Sequence, residues 1–365
     1  MIAIVLGTKA ELIKCVPIML ELQKRKQDYW FIHTGQHPLG KACKEFGIKK
    51  PDFILSKEPK ISTKFWSKVS KRSVFWSFSM IFKIRKAIRK LKPKYVIYHG
   101  DTMSSAVAAI ASSKILNLRK KWKNVHLEAG LRSESLKEPW PEEISRMICD
   151  RFSDILLAVS DRSKRNLKRE KQKGKIIKIG NTIIDSALIS LKLAKKKYKK
   201  KEKGYALINF HRHENLTSKE RLSKAIEILS NINSKAVWPL HDNTKYYLVK
   251  YGLFKKIKKK KNIKMMPLVS YFEFIYMLAK CKYLVTDGGS IQEESLVFKK
   301  PCILLRKRTE RQEGLKTGIN FLTKLDTDYA GKIIKQIENN KIKIKSFRNP
   351  YGEPGVSKKV VDILK

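Results

Sequence analysis

Residues 283–295 read YLVTDGGSIQEES, a sequence typical of a buried strand that turns directly into a helix. The apolar run ends at Asp287, and Gly288, Gly289 and Ser290 follow before the helical segment. Glycine lets a ligand approach the backbone closely, and the N–H groups and dipole at a helix start favour an anion. The stretch therefore predicts an α/β unit with a phosphate site at this turn; a plain strand-to-helix turn is the structural alternative.

Similar short apolar runs recur along the chain between helical patterns. In the first half they read IAIVLG (2–7), YWFIHTG (29–35), YVIYHGD (95–101), NVHLEAG (124–130), ILLAVS (155–160) and IIKIGN (176–181), and in the second half YALINF (205–210), AVWPL (236–240), IKMMP (263–267) and CILL (302–305). Near-continuous hydrophobicity is typical of parallel strands covered by helices on both faces. The predicted fold class is α/β, with two doubly wound Rossmann-like domains.

The length of 365 residues also favours two domains, because it exceeds what one hydrophobic core usually supports. A lysine-rich stretch, LAKKKYKKKEKG at 193–204, precedes the point where the strand pattern restarts. Residues 176–187 suit either half, and we place the boundary before them. The expected domains are 1–173 and 174–353, with a helix at about 354–365 packing back on the first.

The composition indicates a folded enzyme with an unusually basic surface. Hydrophobic residues make up 42% of the chain, and 81 basic against 33 acidic residues give a formal charge of +48. Such a charge attracts polyanions, but the excess lysines are dispersed and no nucleic-acid-binding motif accompanies them. We therefore expect solvated surface and no specific nucleic-acid partner.

The sequence indicates a cytoplasmic protein. The N-terminus has no cationic lead or cleavage site typical of a signal peptide. The most lipophilic segment, 74–82, is shorter than the roughly 20 residues that span a bilayer. The five cysteines are scattered without a close pair, which predicts neither a disulfide framework nor a zinc ribbon and fits a reducing compartment.

Four carboxylates stand where strands end or loops begin. They are Asp101 in HGDT, Glu128 in HLEAGLR, and Glu142 with Glu143 in PWPEE. Burial raises the pKa of a carboxyl group and suits it to proton transfer near neutral pH. In the structural alternative, Asp101 caps a helix and Glu128 pairs with Arg132. The spacing alone leaves both interpretations open.

Cations and histidines suggest where anionic groups bind. The turn GTKAELIK at 7–14 offers Lys9 and Lys14 to a diphosphate, but it matches neither GxGxxG nor GxxxxGK[ST], which disfavours an NAD-binding domain or a P-loop ATPase. His211 and His241 follow strand-like runs. No metal site is predicted, because neither histidine belongs to a metal-ligand pattern. Phosphate or sugar contacts suit them better.

These segments together resemble the non-hydrolysing UDP-N-acetylglucosamine 2-epimerase family over almost the whole chain. The matching motifs, in family order, are GTKAELIK (7–14), TGQH (34–37), HGDT (99–102), HLEAGLRS (126–133), PWPEEISR (139–146), IGNTIID (179–185), FHRHEN (210–215), PLHDN (239–243), TDGGSIQEES (286–295), RTERQEG (308–314) and NPYG (349–352).

The resemblance implies a GT-B fold with the active site in the cleft between the domains, and a homodimer. The implied reaction interconverts UDP-N-acetylglucosamine and UDP-N-acetylmannosamine, without metal or cofactor, by elimination and re-addition of UDP. By motif, Asp101, Glu128 and Glu142 match the family's catalytic carboxylates, and His211 matches the residue that assists the UDP phosphate. The implied UDP-sugar contacts are Lys9, Lys14, Arg132, Arg146, Phe274, Gly288, Gly289, Ser290, Glu294 and Arg311.

Several positions depart from the family pattern. Lys9 and Ala10 replace the usual Arg-Pro, so a bidentate phosphate contact becomes a point charge. The family's SGG reads GGS at 288–290, and His213 replaces an arginine. Many members bind a second, activating UDP-sugar, to which Gln36, Arg212 and His241 correspond; a glutamine expected near 38–46 is absent.

Alternatives remain for one segment and for the function. Residues 64–94 are basic and aromatic-rich; a helix pair is favoured over a weak contact with an anionic membrane surface, and the segment also suits a dimer interface. The alternative functions are an epimerase of a related UDP-2-acetamido sugar such as a diacetamido uronic acid, a GT-B glycosyltransferase, and a nonenzymatic polyanion-binding protein.

Overall fold

The structure is a computed structural model that describes residues 1–57, 71–134, 141–199 and 202–365, with residues 71–74 described by backbone only. The strands are β1 (Ile2–Leu6), β2 (Tyr29–His33), β3 (Phe53–Ile54), β4 (Tyr95–His99), β5 (Lys123–Ala129), β6 (Ile155–Ala158), β7 (Lys175–Lys178), β8 (Ala206–Asn209), β9 (Ala236–Leu240), β10 (Ile263–Pro267), β11 (Tyr283–Thr286), β12 (Cys302–Leu304) and β13 (Asn320–Leu322).

Helices alternate with these strands along the chain. They are α1 (Lys9–Lys24), α2 (Gly40–Phe46), α3 (Lys71–Leu91), α4 (Met103–Ser112), α5 (Glu142–Arg151), α6 (Asp161–Arg169), α7 (Ile183–Lys197), α8 (His213–Leu216), α9 (Lys219–Ser230), α10 (Asp242–Lys250), α11 (Phe254–Lys258), α12 (Tyr271–Lys280), α13 (Ile291–Val297), α14 (Gln312–Leu315), α15 (Thr327–Glu338) and α16 (Val356–Ile363).

The strands form two parallel sheets. The first has the order β3-β2-β1-β4-β5-β6-β7 and the second β10-β9-β8-β11-β12-β13. Both are doubly wound, which confirms the predicted α/β class. The strand order reverses between β1 and β4 and between β8 and β11, and in such sheets ligands bind beyond the carboxyl ends of the strands at that point.

The chain divides into two compact units, residues 1–186 with 350–365, and residues 187–349. The boundary predicted at 173 and 174 is too early. β7 pairs with β6 in the first sheet, and the change of unit falls inside α7. The apolar run at 176–181 carried no signal that assigned it to one half, because a strand at the edge of either sheet has the same pattern.

The closing helix α16 belongs to the first unit and packs against α1. Asp185, at the start of α7, holds the N-terminal turn of α16. One carboxylate oxygen accepts from the Gly355 amide at 2.7 Å, and the other accepts from the Ser357 amide and hydroxyl, each at 2.7 Å. Since Asp185 is buried, these bonds fasten the chain end to the first unit.

The basic aromatic segment forms one helix where it is described. Residues 64–70, which belonged to the predicted helix pair, lie outside the described residues, and 71–91 form α3. α3 packs Met80, Ile84 and Ile88 into the core of the first unit, while Phe75, Phe78 and Phe82 are exposed. Among the described residues, no helix has the length and apolar character needed to cross a bilayer.

Candidate active site

Glu128 stands at an irregularity in β5. The pairing of β5 with β6 shifts register between Leu127 and Ala129, and Glu128 has a φ of +68°. Such a bulge redirects a side chain, and the left-handed backbone costs a non-glycine residue about 1–2 kcal/mol. The surrounding structure must hold Glu128 in this conformation, which is typical of functional positions.

Three polar side chains surround the Glu128 carboxylate. The Lys14 ammonium, from α1, forms an ion pair with Oε2. Asn181 Nδ2, which follows β7, donates to the same oxygen at 3.3 Å, and His99 Nε2 lies 3.4 Å from it. The structural alternative that paired Glu128 with Arg132 is wrong, because Lys14 is the partner.

His99 is uncharged in this cluster. Burial, followed by the nearby Lys14 charge, lowers the pKa of His99 from 6.5 to about 3. Asp101 acts in the opposite direction on the same ring, which places Asp101 within electrostatic range of the cluster. Lys14 is thus a charged partner of Glu128 in this cluster, whereas His99 is a neutral one.

Asp101 lies beyond β4 and is held by Arg146. The Arg146 guanidinium pairs with Asp101 through Nη2 and with Glu143 Oε2 through Nη1 at 2.7 Å. Glu143 also accepts from the Ser133 hydroxyl at 3.0 Å. Thr102, rather than Asp101, caps α4 by accepting from the Ser105 amide at 3.1 Å. The capping alternative for Asp101 is therefore also wrong.

The two glutamates of PWPEE have different surroundings. Glu143 is buried and bonds to Arg146 and Ser133, whereas Glu142 is the first residue of α5 and is half-buried. Glu143 therefore positions Arg146. The assignment of Glu142 as the third catalytic carboxylate stays a prediction.

The turn after β1 is filled by a side chain of the protein itself. Glu11 Oε2 accepts from the amides of Gly7 at 3.0 Å and Thr8 at 2.6 Å. A Cβ on Gly7 would lie 1.8 Å from Ser104 Oγ, so close packing on α4 explains this glycine. Those amides do not face a phosphate here. Lys9 is exposed, and its role as a phosphate contact stays a prediction.

Arg132 belongs to a buried network beside the cluster. Its Nη2 lies 2.7 Å from Asp150 Oδ2, and its Nε donates to Glu170 at 2.7 Å. His126 Nδ1 lies 2.7 Å from Asp150 Oδ1. Burial opposes ionisation of Asp150, but the contacts with His126 and Arg132 keep its pKa below the ordinary value. A sugar contact by Arg132 stays a prediction.

In the second unit, Asp287 connects the loops that follow β8 and β11, the two strands between which the strand order reverses. Its carboxylate accepts from the amides of His211 at 3.0 Å and Arg212 at 2.9 Å, and from Asn215 Nδ2 at 3.1 Å. Asp287 is fully buried. Sequence reasoning missed this role, although an acid directly after an apolar strand in TDGG was a signal.

His211 and His241 stack on each other. Their ring centroids are 4.6 Å apart with an interplanar angle of 19°. Burial and then the proximity of His211 lower the pKa of His241 to about 4, so His241 is neutral near pH 7. The His211 side chain is 40% exposed and its Nδ1 lies 3.7 Å from Asp287 Oδ1. This arrangement orients His211 while leaving part of its ring accessible.

The Gly-Gly-Ser turn leads into α13, a helix of seven residues. The Gly288 amide donates to Thr286 Oγ1 at 2.9 Å. Within the described part of the chain, the amides of Gly289 and Ser290 have no acceptor. A Cβ on Gly289 would lie 3.3 Å from Arg311 Nη1. The turn thus brings free amides and a guanidinium together, as a phosphate site requires.

Arg311 is buried between two glutamates. Its Nε lies 2.9 Å from Glu293 Oε2, and its Nη1 pairs with Glu310. The pairing fixes the orientation of the guanidinium beside Gly289.

The remaining predicted contacts have internal partners. Tyr271 donates its hydroxyl to Glu294 at 2.5 Å, and Phe274 is buried in the core of the second unit. Gln36 accepts from Ser104 Oγ at 2.7 Å in the first unit, and Arg212 pairs with Glu214 in the second. The UDP contacts of Phe274 and Glu294 and the effector role of Gln36, Arg212 and His241 stay predictions.

No group of three or more metal-ligating side chains occurs among the described residues. Two doubly wound sheets, with carboxylates beyond the strands of one and a glycine turn beside an arginine in the other, define a nucleotide-sugar enzyme of the GT-B fold. The chain belongs to the UDP-N-acetylglucosamine 2-epimerase family, whose model matches residues 20–365.

Known proteins align over most of this chain. The UDP-N-acetylglucosamine 2-epimerase of Methanocaldococcus jannaschii is 34% identical over 376 residues, covering 100% of this chain and 98% of the relative. The crystal structure of the M. jannaschii UDP-GlcNAc 2-epimerase in complex with UDP-GlcNAc and UDP matches with a TM-score of 0.83 and 33% identity, covering 100% of this chain and 99% of that one. The UDP-2,3-diacetamido-2,3-dideoxy-D-glucuronate 2-epimerase of Pseudomonas aeruginosa is 31% identical over 330 residues, 87% of this chain and 86% of the relative.

Proposed function

We propose that this enzyme interconverts UDP-N-acetylglucosamine and UDP-N-acetylmannosamine. A base removes the C2 proton while the bond from C1 to the UDP oxygen breaks, which gives UDP and 2-acetamidoglucal. Protonation of C2 from the opposite face and attack of the UDP oxygen on C1 then give the epimer. The sequence of steps needs neither an oxidant nor a metal.

The observation that carries this proposal is the Glu128 cluster. A carboxylate at a strained bulge is paired with a buried lysine, beside a second carboxylate, Asp101, that Arg146 orients. Proton transfer at carbon needs such positioned carboxyl groups. We propose Asp101, Glu128 and Glu142 as the acid and base groups, with Lys14 and Arg146 positioning them; which carboxylate takes the C2 proton is left to experiment.

The second unit supplies the groups suited to UDP. The free amides of Gly289 and Ser290, the adjacent Arg311 and the accessible ring of His211 favour a diphosphate. We propose that these groups stabilise the negative charge that develops on UDP as the C1–O bond breaks. Charge stabilisation of this kind is usually the largest contribution to catalysis.

Proton NMR of the purified enzyme with UDP-N-acetylglucosamine in deuterated water, with a chelator present, tests the reaction. We expect deuterium at C2 and the appearance of UDP-N-acetylmannosamine. Accumulation of free N-acetylmannosamine with UDP would identify a hydrolysing enzyme instead. UDP-sugar binding without exchange, together with sugar transfer to an acceptor, would identify a glycosyltransferase.

A related substrate is the second candidate, because the P. aeruginosa relative is a diacetamido-glucuronate epimerase. The same NMR experiment with UDP-2,3-diacetamido-2,3-dideoxy-D-glucuronate separates the two. Faster C2 exchange with that sugar than with UDP-N-acetylglucosamine would reassign the substrate and leave the mechanism unchanged.

We also propose a cytoplasmic homodimer that serves glycan precursor synthesis, as the family resemblance implies. The exposed Phe75, Phe78 and Phe82 of α3 support the dimer. Their spacing of three and four residues puts them on one face of the helix, and a contiguous apolar patch of this kind is typical of an interface.

A further inference from the structure

A basic groove lies in the second unit, away from the glycine turn. Its volume is about 790 Å³. It is formed where Gly204, Lys282 and Pro301 lead into β8, β11 and β12, at the amino ends of these strands. The loops that carry His211 and Gly288 follow the opposite ends. The basic groove is therefore separate from the groups that we assign to UDP.

Six lysines line this groove. Its basic residues are Lys195, Lys203, Lys280, Lys282, Lys299 and Lys300, and its described lining includes no Asp or Glu. Lys280 donates to the Tyr276 hydroxyl at 2.6 Å, and Lys282 donates to the Glu338 carbonyl at 2.8 Å; both acceptors are uncharged oxygens. The ammonium groups of the other four have neither a hydrogen bond nor an ion pair within the described residues.

Two acidic side chains adjoin the lining in sequence, Glu202 beside Lys203 and Glu338 beside Ile337. Glu202 is exposed and leaves the six lysines in excess, and Glu338 is already engaged. The Glu338 carboxylate accepts from the Ser234 amide at 2.9 Å and from the Tyr283 hydroxyl at 2.8 Å. It follows that the positive field of the groove is not neutralised by the described lining, and that an anion would be attracted to it.

The floor of the groove is apolar. It contains Leu191, Phe298, Ile337, Ile342 and Ile344, and Ile344 is 39% exposed. In the run KIKIK at 341–345 the lysines are exposed, while both isoleucines line the groove. Ammonium groups around an aliphatic floor suit an anionic amphiphile better than a simple ion, because headgroup and hydrocarbon each find a complementary surface.

We propose that the basic groove docks the second unit on an anionic phospholipid surface. The lysines bind headgroup phosphates, and Ile344 and Phe298 contact the upper part of the acyl chains. Single-stranded nucleic acid also presents phosphates, but it would need rings on which its bases stack. The Tyr276 ring is covered by Lys280 Nζ at 4.3 Å from its centroid, and the rest of the floor is mainly aliphatic.

Sedimentation of the full chain with vesicles tests this docking. One set of vesicles contains phosphatidylcholine alone, and the other contains equal parts of phosphatidylcholine and phosphatidylglycerol. We expect binding to the anionic vesicles only, weakening as salt is raised. The double substitution Lys299→Glu with Lys300→Glu should weaken this binding about tenfold or more.

Two further variants distinguish binding by the basic groove from attraction by the overall positive charge of the protein. Lys258→Glu with Lys259→Glu, at exposed positions at the end of α11, makes the same change in net charge and should bind like the wild type. Ile344→Ser should weaken vesicle binding without any change in charge. Thermal melting and UDP-sugar turnover in solution show whether each variant is folded.

The proposal is overturned if the two double variants lose binding equally, since dispersed charge then explains the attraction. It is also overturned if a short DNA duplex displaces the protein from vesicles and binds the Ile344→Ser variant undiminished, which would assign the groove to nucleic acid. Binding to neutral and anionic vesicles alike would equally reject it.

Discussion

Glu128 combines a strained backbone with a buried ion pair. Its substitution is therefore tested for its effect on the reaction and, separately, for its effect on folding. Glu128→Gln keeps the shape and removes the charge; we expect C2 deuterium exchange to fall about 10²- to 10⁴-fold, the usual contribution of acid–base catalysis. Exchange is measured by NMR and folding by thermal melting. Glu220→Gln on the exposed surface of α9 is the control. Wild-type exchange in Glu128→Gln would remove Glu128 from the reaction.

Asn181 is a positioning residue for Glu128, since its Nδ2 donates to the carboxylate at 3.3 Å. Asn181→Asp places a second negative charge there and should raise the pKa of Glu128, because like charges disfavour ionisation. The acidic limb of the pH–rate profile should then move to higher pH. Asn181→Ala should lower kcat and leave KM unchanged. A uniform loss at all pH values would mean that Asn181 only maintains the fold.

His99 should make the fold sensitive to acid. Its pKa is lowered from 6.5 to about 3 by burial, so between these values the unfolded chain binds a proton that the folded chain does not. The free energy of unfolding should therefore fall as pH decreases, by at most about 1.4 kcal/mol per pH unit. Denaturation in urea from pH 7 to pH 5 measures this. His99→Gln should flatten the dependence, and an unchanged slope would contradict the assignment.

Sequence alone pointed to candidate carboxylates but not to the residues that hold them. Asp101 and Glu128 were visible as acids at strand ends. The partnership of Glu128 with Lys14 joins residues 114 positions apart, and only the folded sheet brings them together. Asp287 was quoted within a motif without a role, because its function is to bind two backbone amides of a distant loop.

The strands were predictable because parallel strands buried on both faces are apolar throughout, as in β1, β4 and β11. The domain boundary was not, since β7 at a sheet edge is only partly buried and the chain crosses to the second unit inside α7. The turn after β1 also differed from expectation. A diphosphate was expected beside Lys9 and Lys14, but the adjacent Gly7 and Thr8 amides bind the Glu11 carboxylate, whose role was not predicted.

Asp185 joins two elements that are far apart in sequence, α7 and α16. Asp185→Ala leaves the Gly355 amide and both Ser357 donors without their acceptor, and we expect a loss of about 2–3 kcal/mol in the free energy of unfolding. Ser357→Ala removes one of these bonds and should cost less than half as much. Denaturant unfolding measures both. Equal stability of Asp185→Ala and the wild type would show that α16 is held by packing alone.

The whole molecule carries a charge of +48, yet α3 exposes three large apolar side chains on one face. Phe75, Phe78 and Phe82 are 77%, 61% and 64% exposed, values that an isolated chain would maintain at a cost in solubility. A second copy that packs against the first through α3 would bury these three phenylalanines, an apolar stripe along the helix, in both copies at once. The dispersed lysines elsewhere would then keep such dimers from associating further.

Phe78→Glu tests this dimer, because it places a charge at the centre of the stripe. We expect the wild type to be a dimer by light scattering, and Phe78→Glu to raise the dimer dissociation constant about 30-fold or more, as for the loss of a central interface residue. Lys90→Glu, exposed near the end of the same helix, is the control and should remain dimeric. If Phe78→Glu has the dimeric mass at every concentration, the dimer interface lies elsewhere. If the wild type is a monomer at every concentration, the stripe does not form a dimer interface.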